Sequence, residues 1–151
     1  MNYYLLIKRE GLDAKGQRLT ARQSASVLLE RGIWPLWEHT KNRKAIAAGD
    51  LVAVYLSGDG GGKVIASARV EQVTEWSSAL GRTYPLMLDG TPFSVLKLNN
   101  IGLLPEPVAV KERLSRLSFV NASSKKWGVA FMGGCRSIGK TDFGVLTSSA
   151  S

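Results

Sequence analysis

Gly134-Cys135-Arg136-Ser137-Ile138-Gly139-Lys140-Thr141 satisfies the literal phosphate-loop pattern, in which backbone N–H groups and a lysine cradle nucleotide phosphates. That chemistry needs a preceding parallel strand, a helix opening at the lysine and an acidic residue on a neighbouring strand to hold magnesium. Only ten residues follow Thr141, and they begin Asp142-Phe143-Gly144, a poor helix interior, so the match reads as incidental. The same Asp-Phe-Gly copies a kinase triplet without the glycine-rich loop, lysine strand or His-Arg-Asp loop that give it meaning. His39 is the sole histidine and no Gly-x-Ser-x-Gly elbow is present, so a serine hydrolase lacks its nucleophile turn. Cys135 beside Arg136 could form an activated thiolate, although a small residue filling a turn is the plainer reading. Glu71 with Glu75, and Glu30 with Glu38, have no apolar pocket to part their pKa values. The chain therefore reads as non-enzymatic, with no catalytic residue and no cofactor. One cysteine with one histidine builds neither a disulfide nor a structural zinc site.

The aromatic residues are more informative. Trp34, Trp37, Tyr55, Trp76 and Trp127 stand beside turns or strand ends rather than in periodic stripes. Tryptophan in a loop flanked by lysine and arginine is what a base-stacking pocket needs, a π-face for the base and cations for the phosphates. Large aromatics also fill cores, and pattern alone leaves both roles open for Trp34, Trp37 and Trp127.

Charge agrees with a polyanionic partner. Among 151 residues, 20 Lys plus Arg oppose 12 Asp plus Glu, for a formal net charge of +8 and a pI near 9.9. The excess is +4 in residues 1–50, zero in 51–100 and +4 in 101–151. The hydrophobic fraction of 44% excludes general disorder, and the length suits one domain over 1–151. The start, Met1-Asn2-Tyr3-Tyr4-Leu5-Leu6-Ile7-Lys8, lacks the features of a signal peptide, and no apolar run has the length of a membrane span. These features predict a reduced, cytoplasmic protein.

The elements that must position these residues follow from pattern. Tyr3–Lys8 reads as a first strand. Thr20 and Gln23 form a capping box that opens a helix over Ala21–Arg31, with Ser24, Val27 and Leu28 toward the core and Gly32 closing it. The apolar run Leu51–Leu56 and the alternating stretch Lys63–Thr74, joined by Ser57–Gly62, predict an antiparallel hairpin. Short strands are expected at Tyr84–Leu88, Phe93–Leu98 and Lys126–Phe131. Pro107 is expected to start a second helix that aligns Val110, Leu114 and Leu117, and Gly133–Thr141 to be a turn leading into a short closing helical turn capped by Thr141-Asp142. Short strands, a glycine hairpin and two outlying helices suggest a mixed barrel rather than a layered βαβ fold.

The ordered blocks Trp34-Pro35-Leu36-Trp37, Ile46-Ala47-Ala48-Gly49-Asp50-Leu51-Val52-Ala53-Val54-Tyr55-Leu56-Ser57-Gly58 and Lys63-Val64-Ile65-Ala66-Ser67-Ala68-Arg69-Val70 resemble an EVE domain of the PUA-like superfamily. The segments Leu117–Val120, Lys126–Gly128, Gly133–Ile138 and Thr141–Phe143 are similar to the closing part of that family. The resemblance covers most of residues 3–146. It implies an α+β fold, a small mixed PUA-like β-barrel with peripheral helices; the tail at 147–151 is expected to fray because its residues are small and polar. It further implies a module that binds nucleic acid, RNA or DNA, and accepts a flipped or modified base, for example a methylated one, in an aromatic pocket. Carried onto this chain, Trp34 and Trp37 would wall the pocket, Tyr55, Ser57 and Gly58 would offer polar atoms to the base edge, and Trp127 and Arg136 would complete it. Lys41, Arg43, Lys44, Lys125 and Lys126 would hold phosphates. The alternative in another class is a sensor of a free nucleobase or similar small molecule using the same pocket. A nucleic-acid-processing enzyme is a third, which would need His39, Cys135 or a carboxylate at the pocket.

Overall fold

The computed structural model describes residues 1–13, 15–83 and 91–148. Tyr3–Lys8 forms strand β1, as its apolar run predicts. Gly11–Leu12 (β2) and Arg18–Leu19 (β3) pair as a small antiparallel ribbon. Helix α1 spans Ala21–Arg31. Its capping box is reciprocal: the Gln23 N–H donates to Thr20 Oγ1 at 3.1 Å, and the Thr20 N–H donates to Gln23 Oε1 at 2.9 Å. Gly32 ends it at φ 67°, the left-handed conformation glycine adopts without strain. Ser24 and Leu28 face the core as expected, joined by Ala21, Ala25 and Leu29, while Val27 is only half-buried.

Strand β4 (Ile33–Leu36) follows immediately. It accommodates Pro35 because it lies at one end of the sheet, where one side of its backbone needs no partner. Strands β5 (Leu51–Leu56) and β6 (Lys63–Glu75) form the expected antiparallel hairpin. Helix α2 covers Ser78–Thr83, and the strand expected at Tyr84–Leu88 lies outside the described residues. Strand β7 runs over Ser94–Ala109, far beyond the predicted Phe93–Leu98. Strand β8 (Cys135–Ile138) and helix α3 (Lys140–Thr147) close the described chain. The six long strands form a mixed sheet in the order β4-β7-β6-β5-β1-β8, with β1 and β5 parallel and the other pairs antiparallel. The fold is α+β: the sheet curls into a half-barrel with helices at its rim.

Strand alternation divides the core in two. Tyr4, Leu6, Val52, Val54 and Leu56 pack with α1 and Trp34, and Leu5, Ile7, Ala53 and Tyr55 pack with Leu114, Phe131, Val145 and Leu146 on the opposite face. Because both faces are covered, β5 reads as a continuous apolar run rather than an alternating one. Asp50, 4% exposed, ties the sheet together at the start of β5: it accepts the Asn2 N–H at 3.0 Å and the Ala47 N–H at 2.8 Å.

Four expectations are corrected. Pro107 does not open a helix; it lies in β7, in the stretch beyond the β4 pairing, where an edge strand tolerates proline. The helical turn that follows is a 3-10 turn over Val110–Arg116, which still buries Val110 and Leu114, with Leu117 buried directly after it. Lys126–Phe131 is not a strand. Its residues Trp127–Phe131 form another 3-10 turn that sinks only Phe131, and β8 takes the free edge of β1. Within the predicted turn Gly133–Thr141, Cys135–Ile138 is strand, and a true helix opens at Lys140, with Asp142-Phe143-Gly144 inside it. Burial of Val145 and Leu146 offsets the cost of about 1 kcal/mol for a helical glycine. Thr147 and Ser148, expected in a frayed tail, are tied down: Thr147 Oγ1 donates to the Phe143 carbonyl at 2.7 Å, and Arg113 donates to the Ser148 carbonyl at 2.6 Å, while the rest of that tail lies outside the described residues. Among the described residues no helix is long and apolar enough to cross a membrane.

Candidate functional site

The end of β1, the end of β5 and the segment linking the Trp127–Phe131 turn to β8 enclose a cleft of about 400 Å³. Ile7, Arg9, Tyr55, Ser57 and Gly58 line it on one side, and Gly128, Phe131, Met132, Gly133 and Gly134 on the other. The Tyr55 and Phe131 rings stack 4.8 Å apart at 29°. Trp127 meets Phe131 edge-on at 5.8 Å, and Phe119 lies 5.4 Å from the same ring. Burial pushes the Tyr55 phenol above its ordinary value of 10.0, so at neutral pH it stays an O–H that both donates and accepts. The Ser57 hydroxyl makes a long contact of 3.4 Å to the Lys8 carbonyl.

Glycine is required where the second wall turns. Gly133 and Gly134 have φ of 94° and 80°, and a Cβ on Gly133 would stand 2.8 Å from Lys41 Cδ. The Lys41 N–H donates to the Gly133 carbonyl at 3.0 Å, and the Ile7 N–H to the Gly134 carbonyl at 2.9 Å. Asn42 adds a bond from its amide to the Cys135 carbonyl at 3.0 Å. The loop after β4 is thereby fastened to the cleft.

The structure separates the pocket residues named from sequence. Tyr55, Ser57 and Gly58 line the cleft, and Trp127 packs directly against its Phe131 wall. Trp34 lies in the α1-side core, paired within the sheet, on the opposite face from Tyr55 and Phe131, and is not part of the cleft lining. Trp37 is half-buried on the turn Trp37–Thr40, whose Thr40 lies against Gly134; its ring is not part of the cleft lining. Arg136 stands behind the aromatic wall: its guanidinium covers the Phe119 ring at 4.7 Å and donates to the Ala130 carbonyl at 3.2 Å. It holds the Trp127–Phe131 turn in place.

Of the expected phosphate-holding cations, Lys41 is exposed beside Gly133, and Lys125 and Lys126 are exposed where the chain enters the Trp127 turn. Lys44 is exposed. Arg43 is engaged elsewhere, with its guanidinium 5.1 Å from the centre of the Phe93 ring and a bond of 3.3 Å to the Thr40 carbonyl. The cation that sequence reading missed is Arg9, and the ring it missed is Phe131. Arg9 follows the lysine that ends β1, and strand alternation from Leu5 and Ile7 puts it on the cleft side, which was the available signal.

The phosphate-loop match dissolves in this geometry. Its residues Cys135–Ile138 are paired antiparallel with Leu6–Tyr3 of β1, so they form no open cradle. At the start of α3, Asp142 accepts the Gly139 N–H at 3.2 Å and both the backbone and hydroxyl of Ser118 at 2.8 and 2.6 Å. Burial pushes that carboxyl up, and the Ser118 and Gly139 bonds with the nearby Arg136 charge outweigh it, so the net shift is downward from 3.8. A carboxylate already occupies the helix start. Among the described residues no group of three His, Cys, Asp or Glu side chains could hold a metal ion.

A half-barrel of mixed sheet with rim helices and a cleft at one end defines the PUA-like fold. No protein-family model matches the chain, nor does any curated protein. Solved structures do. Human THYN1, in complex with DNA containing 5-methylcytosine, is similar at a TM-score of 0.58 and 9% identity, over 95% of this chain and 94% of that one. A hypothetical protein from Leishmania major is similar at a TM-score of 0.58 and 15% identity, over 95% and 90%. Rpa0253 from Rhodopseudomonas palustris gives a TM-score of 0.56 and 15% identity, over 97% and 91%. At such identities the shared property is the fold.

Proposed function

We propose that this chain is a non-enzymatic, EVE-like module that binds nucleic acid and takes one flipped, modified base into the cleft between Ser57–Gly58 and Phe131–Gly134. The stacked Tyr55 and Phe131 rings at an opening edged by Arg9 carry this reading. An unstacked base loses contacts worth a few kcal/mol, and aromatic contact with the base in the protein restores about 1–3 kcal/mol. A methyl group on the base adds apolar area, worth about 0.8 kcal/mol when fully buried. Tyr55 O–H, Ser57 Oγ and the glycine backbone supply polar atoms for the base edge, and Arg9, Lys41, Lys125 and Lys126 supply charge for the flanking phosphates. The fold it shares with THYN1, whose structure holds 5-methylcytosine DNA, supports the same reading.

The test is binding to DNA and RNA oligonucleotides with and without methylated cytosine or adenine. Wild-type protein is expected to prefer one modified strand. Phe131→Leu, which keeps apolar volume but removes the ring, and Trp127→Ala are each expected to weaken it about tenfold or more. Loss of ring with no loss of affinity would sink the proposal. A sensor of free nucleobases is separated in the same experiment: it would bind 5-methylcytosine as the free base, and Lys125→Gln with Lys126→Gln would leave its affinity unchanged.

A further inference from the structure

Residues Val129 and Met132 are 64% and 58% exposed, although each sits next to a buried or half-buried aromatic turn. Exposed large apolar side chains are few among the described residues, and these two share one short segment at the cleft's rim. The segment is rigidly held. The Val129 N–H closes on the Lys126 carbonyl at 3.0 Å, Arg136 grips the Ala130 carbonyl at 3.2 Å, and Phe131 is 2% exposed against Tyr55. Glycines flank it at 128, 133 and 134, and exposed lysines stand at both ends: Lys125 and Lys126 before it, Lys41 beside Gly133.

We infer that the Gly128–Gly134 turn is a wedge for double-stranded DNA, with Met132 and Val129 entering the space a flipped base leaves in the stack. This inference rests on the base-binding reading above. Apolar tips ringed by cations match the chemistry of a duplex, whose stacked interior is apolar and whose edge is phosphate. Extruding a base costs stacking on both sides of the gap, and an inserted apolar side chain offsets part of that cost. A rigid turn loses little conformational freedom on insertion, which favours side chains already held outward. Single strands have no gap to fill, so the wedge serves duplex binding alone.

The experiment compares wild-type protein with the variant Val129→Ser, whose side chain does not line the cleft, on one 5-methylcytosine oligonucleotide, as a single strand and as a duplex. Fluorescence anisotropy reads both affinities, and sedimentation reads the mass of each protein. Duplex affinity is expected to fall about tenfold or more, with single-strand affinity and mass unchanged. Equal losses on both strands, or no loss on the duplex, overturn the wedge. A change in mass with unchanged duplex binding also overturns it and makes the turn a contact between protein copies. Phe131→Leu separates the two readings, since it should weaken single-strand and duplex binding alike. If it weakens neither, the base-binding reading fails, and the wedge with it.

Discussion

Cys135 is 0% exposed on β8, and burial pushes its thiol from 9.0 up to about 12. Proximity to Arg136 in sequence does not activate it, because the neighbouring residue on a strand projects to the opposite face. Iodoacetamide at mild alkaline pH is expected to leave the native thiol unmodified and to alkylate it fully in denaturant, read by mass. The same shift has a consequence for stability. A folded-state pKa raised above the unfolded one gives stabilisation that is complete below about 9 and is lost as pH rises toward about 12. Tyr4 and Tyr55, also raised chiefly by burial, act in the same direction from 10.0 upward. The midpoint of thermal unfolding should therefore drop steeply above about pH 9. Cys135→Ala, which removes one of the three groups, should make that drop shallower; an unchanged pH profile would refute the assignment.

At the level of elements, Asp50 has a structural role. Its two carboxylate oxygens accept the Asn2 and Ala47 N–H groups, fixing the start of β1 beside β5, where Asn2's carbonyl also accepts the Leu51 N–H at 3.0 Å. Asp50→Ala leaves two donors without their acceptor and is expected to cost about 2–4 kcal/mol in urea unfolding, with Asp50→Asn recovering part of it. The Gly-Asp step and the run after it were legible because burial on both faces leaves a continuous apolar stretch. The α1 caps were legible because their chemistry is local. By contrast, β8 and the full length of β7 depend on distant partners: Cys135–Ile138 extends only because β1 offers a free edge, and residues beyond Leu98 extend because β6 is long enough to pair them. The same non-locality hid the site. Tyr55, Ser57 and Gly58, which the family resemblance pointed to, follow one strand end and line the cleft, and Arg9 follows the alternation of β1, whereas Phe131 reaches the cleft only through tertiary packing, and Trp34 was claimed by the core on the other face of the sheet.

For the whole molecule, the charge excess acquires a location. The +4 of the first third and the +4 of the last third lie far apart in sequence, but the Lys41–Gly133 and Asn42–Cys135 bonds bring part of each basic segment together beside the cleft that Arg9 lines, while Arg18 pairs with Asp59 outside the cleft lining. The neutral middle third supplies the β5–β6 hairpin and much of β7, which build the scaffold. Not every cation in the basic segments contributes equally. Arg43 is spent on Phe93 and Thr40, and Arg113, 9% exposed, donates to the Val145 and Ser148 carbonyls at the end of α3. Lys125 and Lys126 are exposed next to the cleft's aromatic turn. Each phosphate contact contributes about 0.7 to 0.9 to the slope of log K against log salt. Lys125→Gln with Lys126→Gln should therefore flatten that slope by about 1.4 to 1.8, measured on a methylated oligonucleotide over a salt series. Arg43→Gln should leave the slope unchanged while lowering thermal stability, because its guanidinium is engaged within the fold. If both variants flatten the slope equally, the nucleic acid runs over the whole basic surface, and the cleft does not set its path.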